Sequence, residues 1–120
     1  MSSPTAWSIK NGDLDQVRQA ITEANVNADL DGRKPIHFAA DYGQNEVIDY
    51  LLSKGADINA VDSHGITALL AAIWEGHTES VKLLLSRGAR RDVKAPDGSS
   101  YAECADKAEI KVLLMAQNCC

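Results

Sequence analysis

The sequence predicts an all-α fold: a solenoid of about four helix–turn–helix units joined by hairpin loops, with degenerate units at both ends. Three observations lead there. The text DGRKPIHFAADYGQNEVIDYLLSKGADINA, beginning at Asp31, is rewritten from His64 as HGITALLAAIWEGHTESVKLLLSRGARRDV, so Gly32 and Gly65 stand one period of 33 residues apart. Apolar residues make up 45% of the chain but Phe, Trp and Tyr only 5%, and an Ala/Leu-rich interior suits helices packed at close range. Period-two runs of Val, Ile and Thr, the mark of half-buried strands, are absent.

The 120 residues are read as one domain, 1–120, divided into units of about 1–30, 31–63, 64–96 and 97–120. A chain of this length buries roughly 65% of its unfolded surface and needs no metal or disulfide to hold together. In the first unit, the glycine stop Gly12 separates AWSIKN from an amphipathic segment carrying Leu14, Val17 and Ile21. Its connector is shorter than the later ones and lacks their Gly-Ala-Asp. In the second unit Gly32 supplies a turn free to take positive φ, and Pro35 sits at a first helical position, where its missing N–H costs nothing. Thr67 is a good N-cap for the equivalent helix of the third unit; Lys34, in the matching place, is not. Ala39/Ala40 and Ala71/Ala72 leave the first helices almost without bulk, and Gly43 and Gly76 end them. The second helices follow as NEVIDYLLS and TESVKLLLS, with Val47, Ile48, Leu51 and Leu52 as an apolar stripe. Gly55 and Gly88 stop these, and the connectors ADINAVDSHG and ARRDVKAPDG are rich in turn residues. The last unit keeps Asp97-Gly98 and the apolar run Ile110, Val112, Leu113 and Leu114, but loses several residues between its helices. No helix here reaches the roughly 12–15 residues an isolated helix needs in water, so each unit must bury its stripe on the next.

Period and pattern together resemble the ankyrin repeat: KPIHFAA and TALLAAI are similar to its Thr-Pro-Leu-His-x-Ala signature, and GADIN to its hairpin opening. Non-consensus text narrows the likeness. WSIKNGDLDQV, GRKPIHFAADYGQ, LLSKGADINAVDSHGITALLAAIWEGH and the close VKAPDG…IKVLL resemble, over nearly the whole length, a family of small four-repeat ankyrin proteins. That resemblance implies a non-enzymatic regulator that binds the heterodimeric actin capping protein and covers its basic actin-binding surface, promoting filament elongation. An ankyrin adaptor or inhibitor of a kinase or transcription factor would share the same face. The chain departs from the family pattern at the shortened connector before Asp29, at Arg90, where the repeat carries an acid, and in the tail Gln117–Cys120.

The net charge of −5 (17 acidic and 12 basic residues) disfavours nucleic acid and anionic membranes and favours a basic protein surface. The bias lies in residues 1–60. No segment has the ~18 apolar residues of a membrane span, and MSSPTAWSIKNG lacks the apolar core of a secretory signal. Three cysteines with no CxxC spacing fit reduced thiols in a cytoplasmic or nuclear protein; the chain is expected to be a monomer.

In the ankyrin architecture the residues that vary between units lie at hairpin tips and on the open side of each first helix. Here the candidates for partner binding are Arg33, Lys34, Asp41, Tyr42, His64, Trp74 and Glu75, and the family resemblance implies Trp7, with Arg33 and Lys34, at or near the capping-protein contact. An aromatic beside an acid on adjacent units suits a basic partner. Each has a structural alternative: Trp74 and Tyr42 as core aromatics, Trp7 as a cap on the N-terminal end of the core, Lys34 as a solvated hairpin charge. Arg87, Arg90, Arg91 and Lys94 form a basic run that is either a solvated loop or a site for an acidic partner or phosphate. His37 falls in the repeat signature, where a backbone hydrogen bond is its expected role, and His77 again holds a repeat position. No catalytic motif is present, no cofactor is implied, and three scattered histidines lack the close ligand spacing of a zinc site. Cys119 and Cys120 are read as incidental.

Overall fold

The computed structural model describes residues 4–29, 32–90 and 94–116, and the side chains of residues 7–29, 32–90 and 94–114. Arg91, Cys119 and Cys120 lie outside the described residues. Eight helices follow in order: α1 (Pro4–Lys10), α2 (Leu14–Ala20), α3 (Pro35–Asp41), α4 (Asn45–Ser53), α5 (Ala68–Glu75), α6 (Thr78–Ser86), α7 (Tyr101–Cys104) and α8 (Ala108–Ala116). They form four antiparallel pairs stacked along the long axis of a 39 × 25 × 21 Å body. Among the described residues there is no strand; the connectors carry only isolated antiparallel bridges, Val61 to Thr67 and Lys94 to Ser100. This is the all-α repeat solenoid the sequence predicts.

The first helices of the pairs are the interior. Every residue of α3 from Pro35 to Ala40 and of α5 from Ala68 to Ile73 is buried, because each helix is flanked by its neighbours in the stack and backed by its own partner. The alanines there (Ala39, Ala40, Ala71, Ala72) are what allow the close approach. The second helices bury one stripe each: Val17 on α2, Val47, Ile48 and Leu51 on α4, Val81 and Leu84 on α6. At the C-terminal end Ile110 and Leu114 of α8 join the core, whereas Val112 points to solvent, so the apolar run of that helix is narrower than its sequence suggests.

Helix starts follow local chemistry. Thr67 Oγ1 accepts from Leu70 N (3.2 Å) and Asp13 from Gln16 N (3.3 Å), satisfying N-terminal N–H groups that have no helical partner. Lys34 caps α3 with no side-chain bond; instead His37 reaches back, its Nδ1 accepting from Lys34 N at 3.0 Å. The shortened α7 is one turn, closed by a reciprocal capping box between Ser100 and Glu103.

Three hydrogen bonds join successive pairs at the turn side. The residue following each turn reaches back one unit: Gln44 Nε2 donates to Lys10 O (2.8 Å), the His77 Nε2 lies 3.0 Å from Asp41 O, and Lys107 Nζ donates to Gly76 O (2.8 Å). Each satisfies a carbonyl at or just past the C-terminal end of a first helix, where no helical partner exists. The geometry requires glycine beneath. A Cβ on Gly43 would sit 2.8 Å from the His77 ring and one on Gly12 2.5 Å from the Gln44 amide, and both backbones are left-handed (φ 67° and 69°). On the hairpin side asparagines do the equivalent. Asn27 accepts from Asp57 N (2.8 Å) and donates to Gly55 O (3.1 Å), and Asn59 accepts from Arg90 N (2.8 Å). The shortened first connector does not isolate its tip, since Ser63 N donates to Gly32 O at 3.0 Å.

Candidate functional site

The stacked first helices and the hairpin tips build one face. Counting back from Gly12, Gly43 and Gly76, equivalent positions carry Lys10, Asp41 and Trp74, and beside them Asn11, Tyr42 and Glu75. These are the open-side positions of α1, α3 and α5, one above another. Trp7, Tyr42 and Trp74 are 59%, 44% and 43% exposed, so none is a core side chain, and Glu75 and His64 are exposed as well. Large aromatics held half in water on rigid helices are suited to anchoring a partner at low entropic cost.

Tyr42 and Trp74 each have a neighbour against the ring, and at Trp7 the backbone carbonyl is bonded. Lys10 Nζ stands 5.5 Å from the centre of the Tyr42 ring, a cation–π contact that reaches from α1 to α3. Asn11 Nδ2 donates to Trp7 O (2.8 Å) at the end of α1. Trp74 faces Cys104 of α7: burial pushes the Cys104 thiol's pKa up, and the Trp74 N–H partly offsets that. The thiol is thus held protonated beside the ring.

The charged candidates occupy different surroundings. Arg33 lies with Nη1 3.5 Å from Asp41 and Nε 3.4 Å from Asp62, its guanidinium 5.0 Å from the Phe38 ring centre and its Nη2 donating to His37 O (3.4 Å). It clamps the hairpin tip to α3, and much of its charge is spent on the two carboxylates. Asp62 is buried and preorganised: desolvation raises its pKa, but the N–H groups of Ile66 and His64, with the Arg33 charge, lower it more, and the net shift is down. The two backbone bonds measure 3.0 Å and 2.8 Å. Lys34 Nζ pairs with Asp29 at 2.9 Å. Tyr42, Trp74 and Glu75 therefore share the helical face and His64 stands on a tip, whereas Trp7, equivalent by the same count to the buried Phe38 and Ala71, is exposed on the terminal helix. Arg33, Lys34 and Asp41 are part-buried members of the scaffold between them.

His37 is structural. Fully buried, it donates Nε2–H to Ala60 O (2.8 Å) and accepts at Nδ1 from Lys34 N, so it is neutral, and burial chiefly lowers its pKa. Sequence reasoning missed Lys10 and the Gln44/His77/Lys107 series. The latter is visible as the residue after each turn, but chemically unlike residues fill it. Among the described residues no group of His, Cys, Asp and Glu is placed to hold a metal, and no helix is long and apolar enough to cross a membrane.

Stacked helix pairs, glycine-ended first helices and a buried signature histidine bonded to the next connector define a repeat protein built for contact with other proteins. The chain belongs to the ankyrin-repeat family, whose model matches residues 4–97 in three copies. Within it, the chain is 57% identical over 110 residues to myotrophin of Xenopus tropicalis, an overlap of 90% of this chain and 93% of that protein, which places it in the myotrophin family. Two further relatives match as a segment of something larger. Ankyrin repeat and SAM domain-containing protein 6 of Rattus norvegicus is 37% identical across 76% of this chain but 11% of its own length. BTB/POZ domain and ankyrin repeat-containing protein NPR1 of Malus hupehensis is 34% identical across 78% of this chain and 16% of its own.

Proposed function

We propose that this chain is a non-enzymatic regulator that binds the actin capping protein heterodimer through the α1/α3/α5 face and, by covering the heterodimer's basic surface, keeps it from filament barbed ends. The supporting observation is the pair of half-exposed aromatics Tyr42 and Trp74 on adjacent units, with the exposed Trp7 on the terminal helix, on an acidic molecule of the myotrophin family. The aromatics supply desolvated anchor area, and Glu75 with the molecule's net charge of −5 supplies complementarity to a basic partner. Arg33, Asp41 and Lys34 contribute by holding the tips in register, and His64 meets the partner from its tip.

The direct test is barbed-end actin elongation in the presence of capping protein. Excess of this chain restores elongation, and titration against the purified heterodimer gives a saturable complex. Elongation that stays blocked overturns the reading, and a cytosolic pull-down dominated by a kinase or transcription factor instead would replace it.

A further inference from the structure

The turn of the first unit carries a chemistry that the later ones lack. Asn11 precedes Gly12 where Tyr42 and Glu75 precede Gly43 and Gly76, and it makes the one Asn-Gly pair in the chain. Gly12 N donates to Ile9 O (3.1 Å) and Asp13 N to Ser8 O (2.9 Å), the paired bonds of a Schellman helix end, with Gly12 left-handed at φ 69°. Asparagine is a thermolabile residue, and it is most so before glycine, where no Cβ shields the next backbone nitrogen from the asparagine's own amide carbon.

The reaction is intramolecular. Gly12 N, giving up its proton, attacks Asn11 Cγ; the Cγ–Nδ2 bond breaks, ammonia leaves and a succinimide ring closes. Water then opens the ring at one carbonyl or the other, leaving aspartate or isoaspartate at position 11. In the folded chain both reacting groups are engaged, the Gly12 N–H with Ile9 O and Asn11 Nδ2 with Trp7 O (2.8 Å). Gln44 covers the turn: its amide donates to Lys10 O (2.8 Å), and a Cβ built on Gly12 would lie 2.5 Å from it. Attack therefore waits on an opening at the end of α1. That helix begins the stack, packed on α2 and α3, and fraying of terminal elements is the low end of local opening. Asn11 is exposed, so water reaches the ring once it forms.

Neither product restores the turn. A carboxylate cannot donate to Trp7 O, and it stands at the negative end of a helix. Isoaspartate does more, because the chain then runs through the former side chain and gains a backbone carbon ahead of Gly12. Gly12 and Asp13 can no longer reach Ile9 O and Ser8 O together, and Gln44 loses its seat.

We propose that Asn11-Gly12 is a deamidation site gated by opening of the end of α1, and that conversion to isoaspartate unlatches the first unit from the second. The only co-reactant is water, and the proposal does not rest on the capping-protein reading.

The test is incubation of the full chain at mildly alkaline pH, folded and in urea. Peptide mapping by liquid chromatography and mass spectrometry separates the asparaginyl, aspartyl and isoaspartyl forms. In the folded chain, conversion at Asn11 should outrun that at Asn25, Asn27, Asn45 and Asn59, and it should be slower by about tenfold or more than in urea. Gln44→Ala, which uncovers the turn, should speed conversion several-fold in the folded chain and leave the rate in urea unchanged. The purified isoaspartyl form should melt below the unmodified chain and lose amide-exchange protection first in α1 and α2. Asn11→Asp, which has the charge without the extra carbon, should melt between the two. Conversion at Asn11 no faster than at Asn25, a folded rate equal to that in urea or unmoved by Gln44→Ala, or an isoaspartyl form as stable as the unmodified chain overturns the proposal.

Discussion

Trp74 and Arg33 share one face and do different work. Trp74 is 43% exposed, so Trp74→Ala should weaken the proposed binding to capping protein by more than ~1 kcal/mol with an unchanged melting temperature; unchanged affinity in a titration would remove it from the contact. His37 carries the pH behaviour. Its folded pKa is lowered from 6.5, mainly by desolvation, so below pH 6.5 the unfolded chain binds a proton that the folded chain resists. Stability from this group is therefore complete above pH 6.5 and is lost as pH falls beneath it. Urea unfolding at pH 7.5 and pH 5.5 should show the decline. It should largely disappear in His37→Leu, which places at 37 the residue type found at Leu70. That variant is expected to be less stable overall by about 1–3 kcal/mol, because Ala60 O and Lys34 N lose their partner.

At the scale of the element, the first helices α1, α3 and α5 each end in a glycine over which the next unit's side chain lies. Gly43→Ala combines a left-handed backbone with a Cβ 2.8 Å from the His77 ring, so it should destabilise by about 1–2 kcal/mol or more. Combining it with His77→Ala relieves the clash but leaves the backbone strain. The double variant should then fall short of the sum of the singles in denaturant melts. Additivity would mean that the ring simply moves aside. The same bonds explain how α7 functions at one turn in length: Lys107 still reaches Gly76 O, and Tyr101 still reaches Thr67.

Across the whole molecule, stability is a chain of neighbour contacts, since every helix is too short to persist alone. A cavity in the middle of the stack is felt by both sides. Leu69→Ala, at a fully buried site, should cost about 2–5 kcal/mol, whereas Val112→Ala, 62% exposed, should stay within about 0.5 kcal/mol. Chemical denaturation followed by circular dichroism distinguishes the two, and similar losses would mean that α8 packs as tightly as α5.

Much of this architecture was legible in the sequence because it is local and repeated. Glycine spacing, the proline at the start of α3, the threonine cap of α5 and the stripes of α4 and α6 each encode short-range geometry, and repetition tells signal from accident. Seven of the eight candidate contact residues were legible as positions that vary against a constant frame, and Trp7 only through the family resemblance. What each does there was not. Arg33 reads as a free tip charge until the tertiary fold sets it beside Asp41, Asp62 and Phe38, and Trp74 reads equally well as core or anchor until its half-exposure is seen. Lys10 and the Thr67–Tyr101 pair carry no local mark, because their partners lie a full unit away in the chain. The sequence alone determined that short helical pairs must stack and in what order, since propensity and amphipathicity act over a few residues. The tertiary structure decided which charges are spent inside the stack and which aromatics are left for a partner, because burial and pairing depend on neighbours that only the stacking brings together.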